Sequence, residues 1–316
     1  MNIGLIDVDG KGVRFPNLAL MKLSAWHKSE NDNVEWYTPF THYDIVYMSR
    51  VFTFSTDWQQ PILNADKIVR GGTGYNFNRL PEPVEYTQPD YSLYRIDNSI
   101  AYGFLTRGCC NKCPWCVVPM KEGSIHPYMD IDNIMMFGTS MQKKNAILMD
   151  NNVLASDYGL MQIEKIVMRK YRVDFNQAID ARLVTDDIAK LLSQVKWIKR
   201  IRFGCDTPSQ IGACENAITK LRNYGYSGEV FLYCIITSDF NESVTRIDHW
   251  KCNKHVIPYA QPFKSIGIGQ QATPTWQKDL ARYTNRKEIY KSLNSFSEFI
   301  PRIGFKCEKY YELINN

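Results

Sequence analysis

Four of the nine cysteines fall within eight residues, Cys109-Cys110-Asn111-Lys112-Cys113-Pro114-Trp115-Cys116. Cys109, Cys113 and Cys116 stand in a C-x3-C-x2-C spacing. A loop that short can bring three sulfurs onto three corners of one inorganic cluster. Iron–sulfur clusters are normally held by four thiolates. Three leave one iron open to a small molecule, the open-site arrangement of metal catalysis. Cys110, Cys113 and Cys116 offer a competing C-x2-C-x2-C register. A zinc knuckle is the plainer alternative, but such sites want four protein ligands, often as two pairs. No second pair exists: Cys205, Cys214, Cys234, Cys252 and Cys307 are scattered singly. A disulfide framework suits neither an odd cysteine count nor a chain of 316 residues.

Elements must position those thiols, and their order is legible. Ile3–Val8, Asn33–Tyr37, Asp44–Met48 and Lys67–Arg70 read as strands, with a helix from Pro16 to His27. Alternation of this kind predicts a small parallel sheet with covering helices over residues 1–78. Gly71-Gly72-Thr73-Gly74 ends the fourth strand, either as a phosphate cradle of backbone amides or as a tight turn. Pro81 and Pro83 open a linker over 79–99. Over 100–270, strands at Ile100–Thr106, Ala146–Asp150, Val173–Gln177, Arg200–Gly204, Val230–Ile236 and His255–Tyr259 alternate with helical patterns. The helices are Ile131–Gln142, Tyr158–Tyr171, Thr185–Gln194, Ser209–Tyr224 and Glu242–Lys251. A helical extension, 271–316, follows in two stretches, Trp276–Ser295 and Phe296–Asn316.

The cysteine loop resembles that of the radical S-adenosylmethionine (radical SAM) enzymes, whose motif is C-x3-C-x-aromatic-C, with Trp115 at the aromatic position. Only the Cys109 register keeps three residues before Cys113. The resemblance implies an α/β fold: a partial (β/α)6 barrel with its chemistry at the strand C-termini. It also implies a 4Fe–4S cluster on Cys109, Cys113 and Cys116, with S-adenosylmethionine on the open iron. Reduction by a flavodoxin- or ferredoxin-like donor would release a 5′-deoxyadenosyl radical that takes hydrogen from a substrate the sequence does not name. Trp115 would lie near the adenine. In Asp150-Asn151-Asn152, Asp150 and Asn151 are acceptors for the cofactor amino group, or a strand-to-helix turn. Phe175-Asn176-Gln177-Ala178-Ile179-Asp180-Ala181-Arg182-Leu183 is similar to the family's F-x-x-G-L-D-A-R-L segment, with Ala178 for Gly. It nominates Gln177, Asp180 and Arg182. Arg182 pairs with either the cofactor carboxylate or a neighbouring Asp. Asp206, Tyr233 and Pro258 complete the expected cofactor wall.

The N-terminal unit resembles the cobalamin-binding domain of related enzymes. Neither His27 nor His42 stands in the D-x-H-x2-G motif that ligates cobalt. The sequence therefore argues against cobalamin, and a cobalamin-dependent methyltransferase is the alternative reading. A non-catalytic iron–sulfur or zinc module is the alternative of another class. With no Cys before Cys109 and only Cys307 in the tail, one cluster is expected. A net charge of +5 with scattered basic clusters does not indicate nucleic acid. No apolar run reaches the roughly 18–20 residues that span a bilayer. Free thiols and no export signal point to the cytoplasm.

Overall fold

The apolar runs Ile3–Ile6 and Ile45–Val46 are flanked by turn residues, and both become strands of one parallel sheet. The computed structural model describes residues 1–10, 15–97, 99–136, 143–264 and 272–315. Strands β1 (Asn2–Asp7), β2 (Asn33–Trp36), β3 (Tyr43–Ser49) and β4 (Ala65–Gly71) lie in the order β2-β1-β3-β4, all parallel. Helix α1 (Leu18–Ser29) covers one face through Leu20 and Leu23 against Ile3 and Leu5. Its N-cap, Asn17, accepts from Leu20 N and donates to Ser49 Oγ at 2.7 Å, which ties the helix start to the end of β3. Covering helices were expected, and α1 leaves the other face to loop residues. No helix links β2 to β3 or β3 to β4; Tyr37, Trp58, Ile62 and Tyr75 pack on that side instead, around Ile6, Tyr43, Val46 and Met48. The glycine turn is a tight turn and not a phosphate cradle. Gly72 has φ +91°, and a Cβ there would lie 2.4 Å from Arg50 O. The amides of Gly74, Tyr75 and Asn76 are spent on Arg50 O and Gly72 O.

Residues 79–99 carry a single-turn helix, α2 (Glu82–Glu85), and bury Val84 and Tyr91. Strand β5 (Ile100–Gly103) follows. Next come the two-residue strands β6 (Thr106–Arg107) and β7 (His126–Pro127), antiparallel to each other, with α3 (Val118–Lys121) between them. Helix α4 (Ile131–Met135) begins where expected; residues 137–142 of the expected helix lie outside the described residues. Then β8 (Asn145–Leu148), α5 (Asp157–Arg169), β9 (Arg172–Phe175), α6 (Asp186–Gln194), β10 (Lys196–Trp197), β11 (Ile201–Gly204), α7 (Ile211–Asn223), β12 (Val230–Ile236), α8 (Phe240–Asp248) and β13 (Val256–Pro262) alternate. Ser156, Thr185 and Asp239 cap α5, α6 and α8 through side-chain oxygens.

Strands pair in parallel as β10-β9-β8-β5 and β11-β12-β13. A parallel bridge, Ile179 to Phe203, joins the two sheets just beyond β9. One apolar core runs through both, from Ala101 and Leu148 to Leu232 and Val256. The tail differs from the expected two long helices. Its first stretch breaks at Asn285 into α9 (Thr275–Thr284) and α10 (Lys287–Ser292), because the Asn285 side chain bonds both N and O of Ala260 on β13. Its second is a 3₁₀ turn at Phe296–Glu298 followed by α11 (Glu308–Asn315). Among the described residues no helix is long and apolar enough to cross a membrane.

Arg246 on α8 is the most deeply buried cation, 1 % exposed. It donates to Cys205 O and Ile235 O, each at 2.7 Å, and pairs with Glu242. It thereby clamps the C-terminal ends of β11 and β12 to their covering helix. Arg246→Met strands two carbonyls and one carboxylate, at an expected cost of about 3–5 kcal/mol, read as a lower urea midpoint with an unchanged slope.

Candidate active site

The thiol loop hangs from the C-terminal end of β5 and is pinned at two places. The first pin is Asp150, beyond β8, 3 % exposed. Its carboxylate accepts from Leu105 N at 3.1 Å, Thr106 N at 2.6 Å and Thr106 Oγ1 at 2.8 Å. Burial pushes this carboxyl up to about 6, and the three hydrogen bonds oppose the rise. The second pin is Glu122. It accepts from Arg107 Nε at 3.1 Å and Nη2 at 2.8 Å, Gly108 N at 3.0 Å and Asn151 Nδ2 at 2.8 Å. Arg107 also stacks on Phe104, with 4.1 Å from guanidinium to ring centroid. Between the pins, Gly108 turns at φ +80°, where a Cβ would meet Ser124 O at 2.2 Å. Cys109 N donates to Gly123 O at 3.2 Å, and Cys116 N to Cys113 O at 3.0 Å.

Cys109, Cys113 and Cys116 are half-buried and Cys110 is exposed. Burial, then the neighbouring Cys116 and Cys109, push the Cys113 thiol up. Burial and Cys109, with Glu122 and Asp206 adding to the rise, push Cys116 up. Each of these thiols thus lies within the electrostatic reach of the others. Among the described residues no three His, Cys, Asp or Glu side chains converge on one ion. A cube presents a separate iron to each thiolate, so that finding bears on a zinc knuckle and not on a cluster. Asn152, 2 % exposed, has Nδ2 at 3.7 Å from both Cys109 Sγ and Cys110 Sγ. Its Oδ1 is buried with no hydrogen-bond partner among the described residues. That acceptor beside the thiols fits an ammonium group of a bound molecule.

The remaining expected residues divide. Trp115 is half-buried on the loop between Cys113 and Cys116. Asp180 accepts from Asn111 Nδ2 at 2.9 Å and takes Arg182 bidentately, Nε at 2.8 Å and Nη2 at 2.6 Å. Of the two partners considered for Arg182, the structure shows the neighbouring Asp; the guanidinium still lies close enough to feel Cys113 and Cys110. Asp206 follows β11, with Oδ1 accepting from Ile235 N at 2.9 Å, and burial raises its carboxyl to about 6. Gln177 is exposed beyond β9. Tyr233 donates its hydroxyl to Asn176 O at 3.1 Å. Asp150 and Asn151 hold the loop rather than present free acceptors. Pro258 is a correction: it is buried in mid-strand, in register with Leu232, and does not reach the strand end. Glu122 and Asn152 were not singled out, because a lone Glu outside any motif carries no signal and Asn152 reads as a turn.

No family model matches the chain. No curated protein matches it by sequence. Among solved structures it is similar to a radical S-adenosylmethionine methyltransferase, TsrM, from Kitasatospora setae, determined with its tryptophan substrate and the SAM analogue aza-SAM. The TM-score is 0.60 at 12% identity, over 82% of this chain and 72% of that one. The two share a fold.

Two variants test the pins. Glu122→Ala leaves Arg107, Gly108 N and Asn151 without their acceptor, about 1–3 kcal/mol of loop order; iron retained per chain after reconstitution falls below wild type. For Asp150, the carboxyl sits above its unfolded value of 3.8 at about 6, so its stabilising contribution is greatest below pH 4 and is lost as pH rises to 6. Asp150→Asn removes that titration. The stability difference, wild type minus variant, therefore falls between about pH 4 and 6 and is flat above, measured by urea denaturation at each pH.

Proposed function

We propose that the chain is a radical SAM enzyme. The observation that carries this is the placing of Cys109, Cys113 and Cys116 on one pinned loop after the first strand of a fold shared with a radical SAM methyltransferase. On this reading β5, β8, β9, β11, β12 and β13 form a partial (β/α)6 barrel, supported by their chain-order pairing and the Ile179–Phe203 bridge. The N-terminal sheet is a Rossmann-like unit beside it. The three thiolates would hold a 4Fe–4S cluster, Cys110 standing outside. Bound there with S-adenosylmethionine, the cluster supplies reductive cleavage to methionine and a 5′-deoxyadenosyl radical, given an electron from a flavodoxin- or ferredoxin-like donor.

The chain's own residues bind and orient. Asn152 Oδ1 would take a hydrogen bond from the methionine amino group. Asp180 and Arg182, linked to the loop through Asn111, would fix its far side. Asp206 and Trp115 would border the nucleoside. Glu122 and Asp150 keep the loop closed, and the half-burial of the thiols limits water there.

Methyl transfer is a second reading, favoured by the neighbour's activity. That reading would need a corrinoid, and the two histidines of the N-terminal unit are engaged elsewhere. His27 closes α1 and bonds Asp32 and Tyr47, and His42 pairs with Asp66 just before β3; both lie at the strand N-termini, away from the edge where such sheets bind ligands.

Anaerobic reconstitution decides. The wild type should take up four irons per cluster and release 5′-deoxyadenosine under dithionite. Cys113→Ala should lose both, while Cys110→Ala keeps both. S-adenosylhomocysteine among the products would favour methyl transfer. A cluster without cleavage would make the protein a carrier, and a single bound zinc would end the cluster reading.

A further inference from the structure

Strands β12 and β13 present two unlike faces. Val230, Leu232, Cys234 and Ile236 are fully buried in the core that α7 helps to build. The alternating set, Phe231, Tyr233 and Ile235, is only partly buried and stands in register with Ile257, Tyr259 and Gln261. This second face is turned away from the helices. It carries an ordered group of rings. Phe231 stacks on Tyr259 at 5.4 Å and 29°. Tyr233 meets Phe231 edge-on at 5.1 Å and Tyr259 at 6.0 Å. Two guanidinium groups, Arg200 at 5.3 Å and Arg202 at 6.0 Å, stand over Phe231. Arg202 is itself held at 8 % exposure by the Asp174 carboxylate, Nη2 to Oδ2 2.9 Å. The Tyr233 ring is anchored too. Its hydroxyl reaches Asn176 O over Gly204, the in-register residue of β11, which has no side chain in the way.

The arrangement is a stack of planar groups, guanidinium to Phe231 to Tyr259, whose last member keeps 38% of its surface exposed. An exposed tyrosine by itself is ordinary. An exposed ring fixed in plane by a stack on one side and an edge contact on another is a preformed surface for one more ring, because offset and edge-on aromatic pairs hold at 4.5–7 Å between centroids. Beyond β11, Asp206 bonds Ile235 N near the end of β12, and its charge helps to raise the thiols of Cys113 and Cys116. Tyr233 and Tyr259, in register at mid-strand, and Phe231, two residues nearer the strand start, lie on the same face as Ile235, below that carboxylate.

We propose that Tyr259, with Tyr233 at its edge, is the substrate floor, and that the substrate carries a planar aromatic group which stacks there. This rests on the radical SAM reading for the word substrate; the ring site itself does not. Aliphatic groups of equal bulk gain only burial on this surface, whereas a ring also gains the oriented contact, so the floor selects for aromaticity.

The test uses the full-length reconstituted protein and saturation-transfer NMR titrations with indole, p-cresol and cyclohexanol. Indole and p-cresol should bind saturably and cyclohexanol should not. Tyr259→Ala and Tyr259→Leu should each weaken indole binding about tenfold or more, while Tyr259→Phe stays near wild type. Equal binding of cyclohexanol, or indole binding untouched in both Tyr259→Ala and Tyr259→Leu, overturns the proposal. Titration needs no turnover. Wild-type protein that cleaves S-adenosylmethionine yet ignores both rings overturns the aromatic floor and leaves the enzyme reading standing. Ring binding with no cleavage overturns the substrate role.

Discussion

Two carboxylates, Asp150 and Glu122, hold the thiol loop shut, and the chemistry proposed for the molecule depends on them. The loop buries no apolar side chain fully between Cys109 and Lys121, and buried polar contacts order it. Asp150 gathers Leu105 and Thr106 at the loop's root, and Glu122 gathers Arg107, Gly108 and Asn151 at its neck. Each carboxylate is buried enough that its hydrogen bonds are strong, and each is satisfied enough that the burial is tolerated.

The N-terminal sheet is tied to that same loop. Lys121, in α3 just after the thiols, donates to Thr73 Oγ1 at 2.8 Å in the glycine turn, and Arg79 donates to the carbonyls of Lys121 and Glu122. At the other end of the contact, buried Lys22 on α1 reaches Glu85 O and Tyr128 Oη, and burial draws its ammonium down to about 8. Tyr94 donates to Asp7 at the end of β1 at 2.6 Å. Near the end of β13, Lys264 lies 4.1 Å over the ring of Phe54 from the β3–β4 connection. The glycine turn thus works as a buttress: its tight packing on Arg50 presents Thr73 to the loop. These attachments join the sheet to the thiol loop and to the end of β13.

Shared fold with a methyltransferase at 12% identity speaks to architecture alone. What ties this chain to chemistry is local: a thiol triad, an orphaned amide oxygen on Asn152 beside it, and a ring-lined wall beneath. Cys110, next to Cys109 in sequence, is exposed where Cys109 is half-buried.

Read alone, the chain determined its strand–helix order and singled out the thiol loop. Val230–Ile236 is a strand to the residue, and the thiol spacing drew attention to one loop, because alternation and short-range spacing are written in consecutive residues. Connections were less legible. The second face of the N-terminal sheet is covered by apolar loop residues such as Trp58 and Ile62, and the tail breaks at Asn285 because β13 lies beside it. The division of labour among polar residues was decided only in three dimensions. Asp150, Asn151 and Asn152 are neighbours in sequence, yet one pins a strand, one serves Glu122 and one faces the sulfurs. Arg182 met Asp180 instead of standing free. Of Pro258 and Tyr259, only Tyr259 joins the ring face, because adjacent strand residues point to opposite faces, and only pairing with Leu232 and Tyr233 says which face is which. Which partner a polar side chain finds depends on segments 30 to 70 positions away, such as the 69 between Asn111 and Asp180, and no local pattern encodes that distance.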